Sequence, residues 1–78
     1  MIIGKVVGNV ISTKKNVKMI GCKFMRVRLS DKTEMVAVDQ TGAGVGDEVI
    51  ITQGHNAIYA LDSNEPLPID AVIVGIID

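Results

Sequence analysis

Residues 39–47 read Asp-Gln-Thr-Gly-Ala-Gly-Val-Gly-Asp, with Gly42, Gly44 and Gly46 alternating with Ala43 and Val45. A strand pattern leads in through Met35-Val36-Ala37-Val38, and another leads out through Glu48-Val49-Ile50-Ile51-Thr52. A glycine loop that cradles phosphate opens a helix, whose free N–H groups and dipole hold the anion. Here β-branched residues follow the loop, so a strand is expected and no helix N-terminus is on offer. Alternating glycines then point to backbone passing close to other backbone. In a small β-protein that means a crowded axis or a contact between subunits. Gly42, Ala43, Gly44, Val45 and Gly46 are therefore the candidate axial or subunit-contact loop.

The rest of the chain reads mostly as strands. Ile2 to Thr13 is one long strand, or two joined at a bend. Both its faces carry apolar residues, so it is expected to be covered on both sides. Gly4 and Gly8 within it permit bending or close approach. Lys14-Lys15-Asn16 is a turn. Gly21 to Leu29 sets Met25, Val27 and Leu29 on one face against Phe24, Arg26 and Arg28 on the other. Ser30-Asp31-Lys32-Thr33 is a polar hairpin turn. Glu34 to Asp39 and Glu48 to Gln53 are the strands on either side of the glycine loop. Asn56 is placed to cap a short helix through Ala57 to Leu61. Asp62 to Pro68, with two prolines, is an extended linker. Ala71 to Ile77 is a final strand expected to be fully buried, and Asp70 just before it is the expected anchor of its entry, its carboxylate bonding nearby backbone N–H groups. Five strands and one short helix suggest a small, partly open Greek-key barrel of OB type, residues 1–78 forming a single domain.

Size and composition bear on what such a barrel does. A domain of 78 residues buries only about 60–65% of its unfolded surface. Yet 47% of the residues are hydrophobic and only 3% aromatic. Ile, Val, Ala and Met supply the bulk, more than a small monomer hides, so part of it is expected to face another chain. The lone Cys22 excludes an internal disulfide and suits a reducing compartment. The start, Met1-Ile2-Ile3-Gly4-Lys5, lacks the order of a signal peptide, and the apolar run 71–77 is too short to span a bilayer. A cytoplasmic protein with no membrane partner is expected.

The charges are segregated although the net charge is −1. Residues 1–30 hold seven bases and no acid, whereas residues 31–78 hold all nine acids and one base, Lys32. One reading is a nucleic-acid face on which Lys14, Lys15, Lys18, Arg26 and Arg28 track phosphates, as in an OB-fold binder of single strands. The favoured reading is that the halves neutralise each other, within the barrel or across a head-to-tail contact. Nucleic-acid modules show a net basic footprint, and Phe24 and Tyr59 are too few for a base-stacking platform.

Little else carries chemistry. His55 and Cys22 are single and far apart, so no metal set has recognisable spacing. Asp39, Asp47 and Glu48 flank the glycine loop, but acid–base work needs a pocket that raises one carboxyl pKa. No catalytic residue, metal or cofactor is expected.

The opening Met1-Ile-Ile-Gly-Lys-Val-Val-Gly, the Thr13-Lys-Lys-Asn turn, Ile20-Gly-Cys-Lys, the run Ala37-Val-Asp-Gln-Thr-Gly-Ala-Gly-Val-Gly-Asp47 and the closing Pro68-Ile-Asp-Ala-Val-Ile-Val-Gly-Ile-Ile-Asp78 recur in one family. In order and spacing the whole chain resembles the bacterial microcompartment vertex proteins of the EutN/CcmL type. The resemblance implies a non-enzymatic shell protein in the cytoplasm. It would form a cyclic homopentamer of OB-like barrels with a narrow axial opening, plugging the fivefold vertices of a polyhedral shell whose facets are hexameric shell proteins. The chain departs from the family pattern at Ile58, where an Arg is common. The short Ser30–Thr33 turn also lacks the longer loop of some carboxysome members.

Overall fold

Alternation builds the wall of this molecule. The computed structural model describes residues 1–11, 21–60 and 69–78. Among these residues five strands run in chain order: β1 (Ile2–Val10), β2 (Lys23–Leu29), β3 (Glu34–Asp39), β4 (Glu48–Gln53) and β5 (Ala71–Ile77). In β2 the period-two pattern sends Met25 and Val27 inward, both with no exposure, and leaves Arg26 and Arg28 in solvent. β1, β2 and β3 form an antiparallel meander, β5 lies parallel to β3 and antiparallel to β4, and β4 pairs back onto β1. The order β1-β2-β3-β5-β4 is therefore a closed barrel, and the expected partial opening is absent. The contact Ile2↔Ile51 through Lys5↔Glu48 is what closes it.

β3, β4 and β5 have the expected bounds. β1 ends at Val10, three residues earlier than expected; residues 12 and 13 lie outside the described part, as do the turn at 14–16 and the linker at 62–68. The expected bend in β1 is a bulge: Val6 pairs with Val27 and Gly8 with Arg26, leaving Val7 as the extra residue. A second bulge puts Val74 between the pairs Ile51↔Ile73 and Ile50↔Gly75. Such insertions bend a strand, which helps a five-stranded sheet close on itself. The short helix is a 3-10 helix at His55–Ala60, so Asn56 lies inside it and is not its cap.

The core is in two parts. Inside the barrel, Val6, Met25, Val27, Ala37, Ala43, Val49, Ile51, Ala71 and Ile73 pack together. Val38 and Val72 follow inward residues by one position, so they point to the opposite face. There they pack with Ala57 of the 3-10 helix and with Ile69, bordered by Cys22 and Phe24. Close approach of chain to chain occurs at Gly4. A Cβ there would collide with Val27 Cγ1 and sit 3.2 Å from the Arg28 carbonyl oxygen.

Two expectations about burial are corrected. β1 is not covered on both sides: Gly4 and Val6 are buried, but Ile3, Lys5 and Asn9 face outward and are exposed. β5 is not wholly buried: Ala71, Val72 and Ile73 are, whereas Val74 is 38% and Ile76 37% exposed. One small barrel has only one interior, so strands apolar on both faces must leave one face outside.

The glycine loop as candidate assembly site

The loop between β3 and β4 is held at both ends by an aspartate. At its start, Asp39 closes β3, and β2–β3 pairing sets it directly opposite Lys23. Asp39 Oδ1 accepts hydrogen bonds from the Thr41 N–H (2.8 Å) and the Thr41 hydroxyl (2.6 Å). Its Oδ2 accepts one from the Ala43 N–H (2.8 Å) and lies 3.3 Å from the Lys23 ammonium. That ammonium also donates to the Ala43 carbonyl at 2.8 Å. Ala43 is thus gripped on both sides of its backbone, and its methyl group joins the barrel interior, closing one end.

The far end is fixed as firmly. Gly44 N–H donates to Asp47 Oδ2 (2.8 Å), and Asp47 N–H returns a bond to the Gly44 carbonyl (3.1 Å). Gly46 N–H donates to the Val6 carbonyl, and Val6 N–H donates to the Asp47 carbonyl, both at 2.9 Å. The loop is stitched to the bulged part of β1. Gly42 and Gly46 have φ of +82° and +96°, the left-handed region that side chains resist. Among the described residues no backbone comes within 4 Å of a Cβ built at Gly42, Gly44 or Gly46; the nearest atom is Asp47 Oδ2, 3.9 Å from Gly44. Backbone conformation, not crowding inside the protomer, is what calls for glycine at 42 and 46. Val45 stands at the tip, 66% exposed.

Burial is the strongest single influence on the Asp39 carboxyl and pushes its pKa up. The hydrogen bonds from Thr41 side chain and backbone, Ala43 and Lys23 together outweigh it, so the pKa falls below the ordinary aspartate value. A general acid at neutral pH needs the opposite shift. Asp47 is committed to its turn, and Glu48 is an exposed residue paired in register with Lys5. Among the described residues no three His, Cys, Asp or Glu side chains gather as a metal set.

The segregated charges meet within the protomer. Lys23 pairs with Asp39, while Glu34 takes Arg26 at 2.9 Å and Arg28 at 3.1 Å. Each bond joins a base of the first thirty residues to an acid of the rest. Arg26 and Arg28 are thereby engaged on one carboxylate; Lys14, Lys15 and Lys18 lie outside the described residues. Cys22 is a half-buried free thiol beside the second core cluster, and His55 opens the 3-10 helix. Asp70 is exposed; its main-chain carbonyl accepts from Gly54 N–H at 2.7 Å, and among the described residues its carboxylate takes no hydrogen bond.

Sequence reading missed the Lys23–Asp39 clasp. Only its Asp39–Thr41 turn left a local signal, the spacing Asp-x-Thr, which also occurs at Asp31-Lys32-Thr33. There Asp31 Oδ1 likewise accepts from the Thr33 hydroxyl (2.5 Å) and the Thr33 N–H (3.0 Å). The aspartate side chain imitates a backbone turn at both places.

The molecule is thus a closed barrel with a fixed loop at its end and apolar side chains left on its outer face. Residues 1–78 match the family model described as Ethanolamine utilisation protein EutN/carboxysome, and the chain belongs to this EutN/CcmL family. It is 40% identical to the bacterial microcompartment shell vertex protein GrpN of Rhodospirillum rubrum (strain F11), an alignment covering 100% of this chain and 93% of the relative. It is 38% identical to the carboxysome shell vertex protein CcmL of Gloeobacter violaceus, covering 100% and 83%. The pentameric shell protein MSM0273 from the RMM microcompartment superposes with a TM-score of 0.91 at 38% identity, covering 100% of this chain and 91% of that one.

Proposed function

We propose that this chain is a structural shell protein that forms cyclic pentamers and caps the vertices of a bacterial microcompartment in the cytoplasm. It has no catalytic role and needs no cofactor. The observation that carries this reading is whole-length likeness to a pentameric shell protein at a TM-score of 0.91 and 38% identity. The protomer is consistent with it. A ring joins two different patches of each subunit head to tail. The fixed loop 42–46 is one such patch, and the apolar side chains Ile3, Val36, Val74 and Ile76 on the outer wall are material for the other. Hexameric shell proteins of the facets are the partners around the ring.

Co-expression with facet-forming hexameric shell proteins tests the assignment by electron microscopy. Closed polyhedra are expected when the chain is present, and elongated or open sheets when it is omitted. Shells that close equally well without it would contradict the proposal.

A further inference from the structure

We infer that Lys23 and Asp39 are positioning residues for assembly: they hold the loop in the one shape at which Val45 meets a second copy of this chain. This role rests on the ring proposed above and adds the residues that ready its contact surface.

The clasp is an odd device for stability alone. The Asp39 side chain has no exposure, and the charge is brought out of water at a cost that an apolar pair would avoid. Both its oxygens are committed, to three donors on the loop and to Lys23. What that expense secures is geometry. Residues 40–46 include three glycines, two with positive φ, and a segment of that composition has many competing shapes. The clasp and the Asp47 turn leave one.

The side of that loop facing solvent has a simple chemistry. Gly42, Gly44, Val45 and Gly46 are all exposed, and none is charged. With the exposed Gln40 and Thr41 before them, the loop offers backbone, two neutral polar side chains and a single isopropyl group. The outer wall of the same chain carries the apolar side chains Ile3, Val36, Val74 and Ile76, with the charged Lys5 and Arg26 exposed among them. Two unlike patches on one chain, a glycine loop and a sheet face, suit head-to-tail contact between copies. A loop already in its bound shape avoids the ordering cost of association, so loosening it weakens the ring even where every contacting atom is retained.

Native mass spectrometry over a dilution series, with hydrogen exchange at Ala43 and Gly44 in assembled rings, separates the roles. Val45→Ser should leave exchange and melting temperature unchanged, yet raise the concentration at which the ring dissociates at least tenfold. Lys23→Met should speed exchange in the loop and weaken the ring to a similar degree, and Lys23→Arg should restore both. Should Lys23→Met fail to fold, Thr41→Val removes one donor to Asp39 at an exposed position and should move both readouts the same way, by less. Rings of Lys23→Met or Val45→Ser that dissociate at the wild-type concentration would overturn the inference. A wild-type chain that forms no ring would instead overturn the function proposed above.

Discussion

The barrel wall and the glycine loop meet at Ala43 but are held together by different physics. In the wall, Met25, Val27, Val49 and Ile51 have no exposure, and stability follows from apolar area removed from water. That force is non-directional, so the wall should respond to volume. In the loop, order comes from nine directed contacts around Lys23, Asp39, Asp47 and Val6. Those should respond to charge and to backbone conformation. The wall and the loop can thus be damaged separately.

The largest effect is expected inside the wall. Ile51→Ala leaves a cavity at a site with no exposure and should cost about 2–5 kcal/mol in urea denaturation. Losing less than about 1 kcal/mol would mean that the interior is loosely packed. Gly4→Val comes next. Its Cβ meets Val27 and the Arg28 carbonyl, so overpacking should cost about 1–3 kcal/mol, with the loop's exchange pattern retained.

Gly42→Val moves the effect to the loop. Space is open there, but φ is +82°, so strain of about 1–2 kcal/mol is expected while the wall stays protected from exchange. Gly44 lacks positive φ, so Gly44→Ala should be milder in the protomer. Equal destabilisation by Gly42→Val and Gly44→Ala would remove backbone conformation as the reason for glycine at 42.

The smallest effect is an acid response confined to the loop. The folded pKa of Asp39 lies below its unfolded value, so its contribution is complete above the ordinary aspartate range. It is lost as pH falls through the folded value. Exchange at Ala43 should therefore stay slow down to about pH 4 and rise below it, before the wall yields. Loosening that began near neutrality would contradict the clasp geometry.

This contrast also explains what could be read from the chain. β3, β4 and β5 were legible because β-branched runs are cut off by glycine and polar residues, a purely local signal. The five-stranded barrel followed from their number and order. The glycines were harder. Positive φ and close approach both demand glycine, and nothing local tells them apart. Close approach is real at Gly4, whereas Gly42 and Gly46 answer to φ. The Lys23–Asp39 clasp depends on the register of β2 against β3, which no short window contains. The two-sided apolar pattern of β1 and β5 was visible, but its outer half lies bare on the protomer; in the proposed ring the cover it calls for belongs to another chain.

That last point makes subunit number the most direct test. Native mass spectrometry of the wild-type chain at low micromolar concentration should give a single dominant species of five times the 8.3 kDa chain mass, with no stable folded monomer on dilution. A folded monomer or dimer as the main species would contradict the account.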